Sequence, residues 1–317
     1  MENWLDILPN EILSHINSFL EKTELLICMG GYKLKSAEYL HATEWKPLPD
    51  MLAPRGWFNA LTIENVIFVL GGYSSGAVST MESFDFQSTN WQQEQQMITA
   101  RVNAAAVNIN VADVHSILVV GGRNSEYELL KTAEMFNTRR RKWKRVANMR
   151  EKRARHCAVT FEDQIFVFGG FDGQKAMSTC ETYIPVKNKW NDIPNMLGPR
   201  FNAAAAVGNS KIFIAGGNDG KHRLASVNVF NPSDGIWVNV TKMNSIRDGL
   251  GLAKFGSELV AVGGDHDLYQ AVDQSIEFYN IAKDSWIDGP TLGTGRICCG
   301  LTTVAVDQKL CHKNLFK

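Results

Sequence analysis

The side chains best suited to metal ligation or nucleophilic attack are scattered through this 317-residue chain. Its seven histidines (His15, His41, His115, His156, His222, His266 and His312) share no spacing. One tight cluster, Asp265-His266-Asp267, offers a cation two carboxylates and an imidazole, but it reads as a solvated loop tip. The six cysteines (Cys28, Cys157, Cys180, Cys298, Cys299 and Cys311) form no C-x-x-C pair and no Cys/His group at metal spacing. They read as buried or idle thiols of a reducing compartment. There is no Gly-Lys-Ser phosphate loop and no H-E-x-x-H helix. No catalytic residue, metal ligand or cofactor is assigned, and the chain is expected not to be an enzyme.

Binding chemistry is what remains. Arg139-Arg140-Arg141-Lys142, Lys144, Arg145, Arg150, Lys152, Arg153 and Arg155 form a basic run opposed only by Glu151. Such a run points to an acidic partner, a phosphate or nuclear import, or simply to a solvated edge. Over the whole chain 33 basic residues balance 33 acidic ones, so no net field favours nucleic acid or membrane. Trp57 also stands apart, because six of the eight tryptophans obey a rule that it does not.

That rule sets the architecture. Glycine pairs recur at Gly30-Gly31, Gly71-Gly72, Gly121-Gly122, Gly169-Gly170, Gly216-Gly217 and Gly263-Gly264. Each is followed by a tryptophan: Trp45, Trp91, Trp143, Trp190, Trp237 and Trp286, spaced 46, 52, 47, 47 and 49 residues apart. Periods of this length mean a repeat fold, which escapes the size limit of a single core. Arg55, Arg153, Arg200 and Arg247 each lie 16 residues before their glycine pair, and Arg101 lies 20 before. The excess is assigned to a longer turn at 108–115.

Each unit reads as four short strands: an alternating strand a, an apolar strand b stopped by Gly-Gly, then c and d. Runs such as Ile165-Phe166-Val167-Phe168 suit strands buried on both faces. The glycines permit positive φ, and the tryptophan fills the wedge between sheets. Nine residues before the tryptophan stand Glu82, Glu134, Glu181 and Glu277, with Asn228 in the same place and Glu38 seven before Trp45. A glutamate inside an apolar strand needs a partner, so each is expected to meet backbone donors or a repeat arginine.

Four-stranded units with this Gly-Gly…Trp grammar resemble kelch repeats, which build β-propellers. The resemblance spans 25–306. The loops Gly170-Phe171-Asp172-Gly173 and Gly217-Asn218-Asp219-Gly220 look most like the propeller of the kelch-like family, whose members usually carry BTB and BACK domains. The implied fold is an all-β, six-bladed propeller. Blade 1 combines 25–54 with 296–306, because Arg296 and Ile297–Val306 read as a strand a with no Gly-Gly after it, closing the ring. Blades 2 to 6 take 55–100, 101–152, 153–199, 200–246 and 247–295, and 307–317 is a polar tail. Copper-dependent relatives would need a His/Tyr site, which the scattered histidines do not form.

The resemblance implies that the d–a and b–c loops make the partner-binding face. After the blade arginines these loops carry Trp57, Asn103, Arg155, Phe201, Asn202 and Asp248. After Gly-Gly they carry Tyr32, Tyr73, Arg123, Phe171, Asn218 and Asp265, with Tyr269 deeper in its loop. Ahead of the repeats, residues 1–24 place Ile12, Leu13, Ile16, Phe19 and Leu20 on one helical face behind Pro9. Leu8-Pro9-Asn10-Glu11-Ile12-Leu13 resembles the opening of an F-box, implying adaptor contact through Leu8, Pro9, Ile12, Leu13, Ile16 and Phe19. An F-box continues through further helices, whereas here a strand begins at once, so the segment reads equally as a remnant or a docking helix.

The implied function is protein binding, as substrate recognition for a cullin-RING ubiquitin ligase or as an actin-binding scaffold. Glu2 and Asp6 stand where a secretory signal would be basic, and no apolar run approaches the ~20 residues of a membrane span. The cytoplasm, with nuclear access, is the expected compartment, and the sequon at Asn239 is expected to go unmodified.

Overall fold

The computed structural model of the chain describes residues 24–31, 34–41, 44–265, 273–297 and 299–305. The N-terminal helix, Tyr32, Tyr269, His266 and the 307–317 tail lie outside the described residues. Within them, 24 strands form six four-stranded antiparallel sheets, the blades of a propeller.

Blade 4 shows the local logic. Strand a is Cys157–Phe161, b Gln164–Phe168, c Cys180–Ile184 and d Lys189–Ile193. Strand b buries all but its first residue, as its unbroken apolar run requires. Glu162 and Asp163 turn between a and b with φ of 46° and 57°, the two-residue hairpin that matches strand twist. Gly169, at φ 58°, ends strand b where an added Cβ would lie 2.4 Å from the Arg200 carbonyl. Only glycine fits there.

Blade 3 corrects the assignment of a longer turn at 108–115. Its strands run Ala105–Val111 and Val114–Val120, joined by the two-residue turn Ala112-Asp113. The four extra residues lengthen the hairpin: Asn108 pairs Ile117, and Val111 pairs Val114. Ile109 is buried on that extension, which is why the added residues pair rather than loop.

An apolar cluster fills each gap between adjoining blades. Leu118, Val120 and Met135 of blade 3 meet Ile165, Val167 and Tyr183 of blade 4. Leu26 and Cys28 of blade 1 meet Val260, Val262 and Phe278 of blade 6. The a strands of neighbouring blades touch around the axis. In blade 1 that place is taken by Gly300–Ala305, paired antiparallel with Glu24–Met29 in the register Cys28↔Leu301.

The strand-c glutamates find the partners expected of them. Arg101 donates to Glu134 at 2.8 Å, Arg153 to Glu181 at 2.9 Å, Arg247 to Glu277 at 3.0 Å and Arg296 to Glu38 at 2.9 Å. Arg55 bonds Glu82 in the same way, and Arg200 meets the amide oxygen of Asn228 at 2.7 Å. Each arginine also braces its blade: Arg153 reaches the carbonyls of Gly169 at 2.6 Å and Thr179 at 2.9 Å. The free carboxylate oxygen reaches toward the previous blade, where Glu181 accepts from the Arg150 N–H at 2.7 Å and Glu134 from the Ile98 N–H at 2.8 Å.

The repeat tryptophans add a second inter-blade link. The indole N–H of Trp143 donates to Gln95 O at 2.9 Å, Trp190 to Ala147 O at 2.8 Å and Trp237 to Pro194 O at 3.0 Å. Trp45, in the shortened unit, has no hydrogen-bond partner for its buried N–H among the described residues.

Removing one partner of a buried ion pair strands the other. Glu181→Leu should lower unfolding stability by about 3 kcal/mol, because Arg153 loses its buried carboxylate and keeps only the half-exposed Glu151 at 3.1 Å. Glu181→Gln keeps an acceptor, as Asn228 does in blade 5, and should cost about 1 kcal/mol. Urea unfolding midpoints measure both, and equal shifts would contradict the clamp.

Candidate functional site

The d–a and b–c loops meet at the end of the ring where strands b stop and strands a start. Short bridges tie them pairwise: Gly56 to Tyr73, Val102 to Arg123, Ala154 to Phe171, Phe201 to Asn218 and Asp248 to Asp265. The structure thus divides the expected face into three sets. Phe201 and Asp248 directly follow their arginines and make the bridges from one side. Tyr73, Arg123, Phe171, Asn218 and Asp265 make them from the other. Trp57, Asn103, Arg155 and Asn202 stand one residue further on and turn inward.

That third position has an unusual backbone. Trp57, Asn103, Arg155 and Asn202 take φ of 53°, 56°, 58° and 54°, and Gly249 holds the place in blade 6. Left-handed geometry is ordinary for asparagine and glycine but strained for a bulky side chain such as tryptophan. The reason is a belt of backbone hydrogen bonds around the axis. Asn103 N donates to Trp57 O at 3.2 Å, Arg155 N to Asn103 O at 2.8 Å, Asn202 N to Arg155 O at 2.8 Å and Gly249 N to Asn202 O at 3.0 Å. The belt fixes the rim of a cavity of about 100 Å³ at the channel mouth, lined by Trp57, Asn103, Arg155, His156, Asn202 and Cys299 among others.

Two chemically different halves follow. On blades 2 to 5, Trp57 meets Tyr73 edge-on with ring centroids 6.0 Å apart, and Phe171 meets Phe201 at 5.7 Å. The Arg155 guanidinium lies 5.7 Å from the Phe201 ring. Among the described residues no carboxylate is in ion-pairing reach of Arg155 or Arg123. On blades 5 and 6 the polar groups satisfy one another. Asp248 accepts from Asn202 at 2.7 Å and from Asn218 at 3.1 Å, while Arg223 bonds Asp265 at 2.9 Å.

The basic run of blade 3 does not act as one surface. Arg141 pairs with Glu94 and Arg150 with Asp192, Arg153 is a buried clamp, and Arg155 alone reaches the mouth. Lys142, Lys144 and Arg145 lie exposed along the outer strand Lys142–Val146.

Reading the sequence missed three features. Tyr127 is 73% exposed at φ 62° beside a groove of about 650 Å³ lined by Arg123, Leu129, Lys152 and Asp172. Its signal was an aromatic residue in an otherwise polar loop. Arg223 carried no signal, because its partners come from two other loops. Gly72-Tyr73-Ser74-Ser75-Gly76 spells a nucleophile-elbow pattern, but it lies in a b–c loop between two strands of one sheet. The strand-to-helix turn that exposes such a serine is missing there.

Residues 57–264 match the KLHDC2/KLHL20/DRC7 Kelch-repeats domain. The chain is 26% identical over 164 residues to the Kelch repeat-containing protein kel-10 of Caenorhabditis elegans, covering 48% of this chain and 28% of that protein. It is 27% identical over 142 residues to Kelch-like protein 41b of Danio rerio, covering 43% and 23%. Against Alpha-scruin of Limulus polyphemus it is 25% identical over 174 residues, covering 49% and 18%. The matched stretch therefore spans less than a third of each relative's length.

His156 makes the mouth sensitive to acid. It is 6% exposed, and neither ring nitrogen meets a hydrogen-bond partner of normal geometry. Burial, and then the charge of Arg153, push its pKa down to about 3. The folded chain therefore keeps the ring neutral while the unfolded chain takes up a proton near pH 6.5. Stability falls as pH drops below 6.5 and goes on falling toward 3. His156→Phe, the residue blade 2 uses at Phe58, should remove this dependence. Between pH 6.5 and 5 the native chain should lose about 1.5 kcal/mol more than the variant in urea unfolding.

Proposed function

This chain belongs to the kelch-repeat family, and we propose that it is a non-catalytic interaction module that holds a protein or peptide across its loop face. Kelch propellers are generally protein-binding modules. The observation that carries the reading here is the half-buried group Trp57, Tyr73, Phe171 and Phe201, with Arg155 held over Phe201 and, among the described residues, unmatched by a carboxylate. Aromatic and arginine side chains on a rigid rim are what interface hot spots enrich. Asn103, Arg123, Asn202, Asn218 and Asp248 would frame the contact.

We place the module in a cullin-RING ubiquitin ligase as its substrate-recognition part. Kelch-like relatives and the F-box-like phrase at Leu8–Leu20 support this setting. The alternative is an actin-binding or cytoskeletal scaffold, the other role implied by the family resemblance. In either setting the pairing of Gly300–Ala305 with Glu24–Met29 is read as the closure of the ring. Arg296 supports that reading, since it serves the carbonyls of Gly30 at 2.7 Å and Ser36 at 3.0 Å as the other clamps serve theirs.

Affinity purification of the full chain, with and without cullin activation blocked, should recover a cullin or its adaptor. Recovery of neither would remove the ligase reading and leave the scaffold. Trp57→Ala and Arg155→Glu should each weaken capture of the recovered partner by about tenfold or more. Both should leave the thermal midpoint within about 2 °C of the native chain, as expected of rim substitutions. Unchanged binding in both variants would move the contact to the opposite end of the propeller.

A further inference from the structure

The thiols of blade 1 differ from the other described cysteines. Cys28 lies in the strand Glu24–Met29 with no exposed surface, and its Sγ donates to the Sγ of Cys299 at 3.5 Å. Cys299 directly precedes Gly300–Ala305, whose ladder with Glu24–Met29 ends at Met29↔Gly300. It therefore sits diagonally across from Cys28, just outside the paired ladder. It is half-buried and lines the mouth cavity, so a small solute reaches it from the loop face.

We propose that Cys299 and Cys28 are an oxidative modification site, in which a hydroperoxide entering at the channel mouth converts them to a disulfide. Cys299 attacks first. Its thiol is held below the usual range, mainly by the hydrogen bond from Cys28 and then by the charge of Arg296, against the opposing effect of burial. Burial keeps the Cys28 thiol protonated. Thiolate character and access are what select a cysteine for oxidation. Cys157 and Cys180 offer the contrast within the same fold: burial pushes each up to about 12.

The steps balance. The Cys299 sulfur attacks one peroxide oxygen, an S–O bond forms, the O–O bond breaks, and the leaving hydroxide takes up the displaced proton as water. The Cys28 sulfur then attacks the sulfenic sulfur of Cys299, forming S–S and expelling hydroxide, which takes the Cys28 proton as a second water. Two thiols lose two electrons, and one hydrogen peroxide becomes two waters. The sulfurs must approach from 3.5 Å to about 2.05 Å. That movement falls on Cys299, which is free of the strand ladder.

The product staples residue 28 to residue 299, joining blade 1 across the two ends of the ring. Treatment of the full chain with hydrogen peroxide, followed by trypsin without reduction, should yield peptide 23–33 linked to peptide 297–309. Cys298 shares the second peptide, so Cys298→Ser should retain the link and Cys299→Ser should lose it. The oxidised chain should melt roughly 5–10 °C higher, and dithiothreitol should reverse the shift. Cys299→Ser, a rim substitution, should show no such shift. A link lost in Cys298→Ser but kept in Cys299→Ser would overturn the assignment, and so would peroxide treatment that leaves peptide 23–33 unlinked.

Discussion

Six buried guanidinium groups hold this ring in shape. Each blade arginine does two jobs in opposite directions. Its main-chain carbonyl accepts the second Gly-Gly N–H of the preceding blade, as Arg200 O does from Gly170 at 2.8 Å. Its side chain meanwhile braces the glycine carbonyl and strand c of its own blade. Arg101, Arg153, Arg247 and Arg296 are all less than 2% exposed, so each charge is tolerable only because a glutamate meets it inside the sheet. The other oxygen of Glu82, Glu134, Glu181 and Glu277 returns to the previous blade. Blade-to-blade geometry is thus set by polar bonds with fixed directions, while the apolar clusters fill the space that those bonds define. Blade 5 shows the tolerance of the arrangement: Asn228 substitutes an amide, and burial lowers the pKa of Arg200 without removing its charge.

This clamp also makes the loop face what it is. With the arginine pinned, the residue two places later must turn into the left-handed region to pass its N–H to the neighbouring carbonyl. At the five described positions the backbone of the mouth is consequently uniform, and difference is confined to side chains. Asn103, Asn202 and Gly249 take the conformation readily. Trp57 and Arg155 do not, and they are also the two that project aromatic or charged surface at the mouth. Strain and chemistry coincide at those two positions, which is the pattern expected where a residue is kept for contact rather than for fold.

Much of this was legible in the chain because period and chemistry repeat together. The glycine pairs, the tryptophans and the offset of 16 residues from four of the arginines define a blade before any coordinate is known. The strand-c glutamates demanded partners, and the arginines were the only cations recurring in step with them. Three things could not be read. The length excess after Arg101 looked like a loop because Asn108 and Asn110 resemble turn residues. Pairing with the extended strand b, which buries Ile109, decides otherwise. The distinction between Phe201, which bridges, and Asn202, which turns inward, depends on one residue of register that no composition signal carries. The network of Asp248 with Arg223 joins loops from different repeats, so nothing local announces it.

The asymmetry of the face follows from where its charges are already matched. On blades 5 and 6, Asp248 and Asp265 take up Asn202, Asn218 and Arg223, and that side gains little by exchanging those bonds for a partner's. On blades 2 to 5, among the described residues, no carboxylate pairs with Arg155 or Arg123, so an acidic ligand group placed there breaks no existing ion pair. The same residues stand on main chain fixed by the belt, and little backbone entropy remains to be lost on binding. An approach from the Trp57 and Arg155 side therefore meets the more favourable exchange. The satisfied side supplies a rim, against which a misplaced apolar or acidic group would be left unpaired.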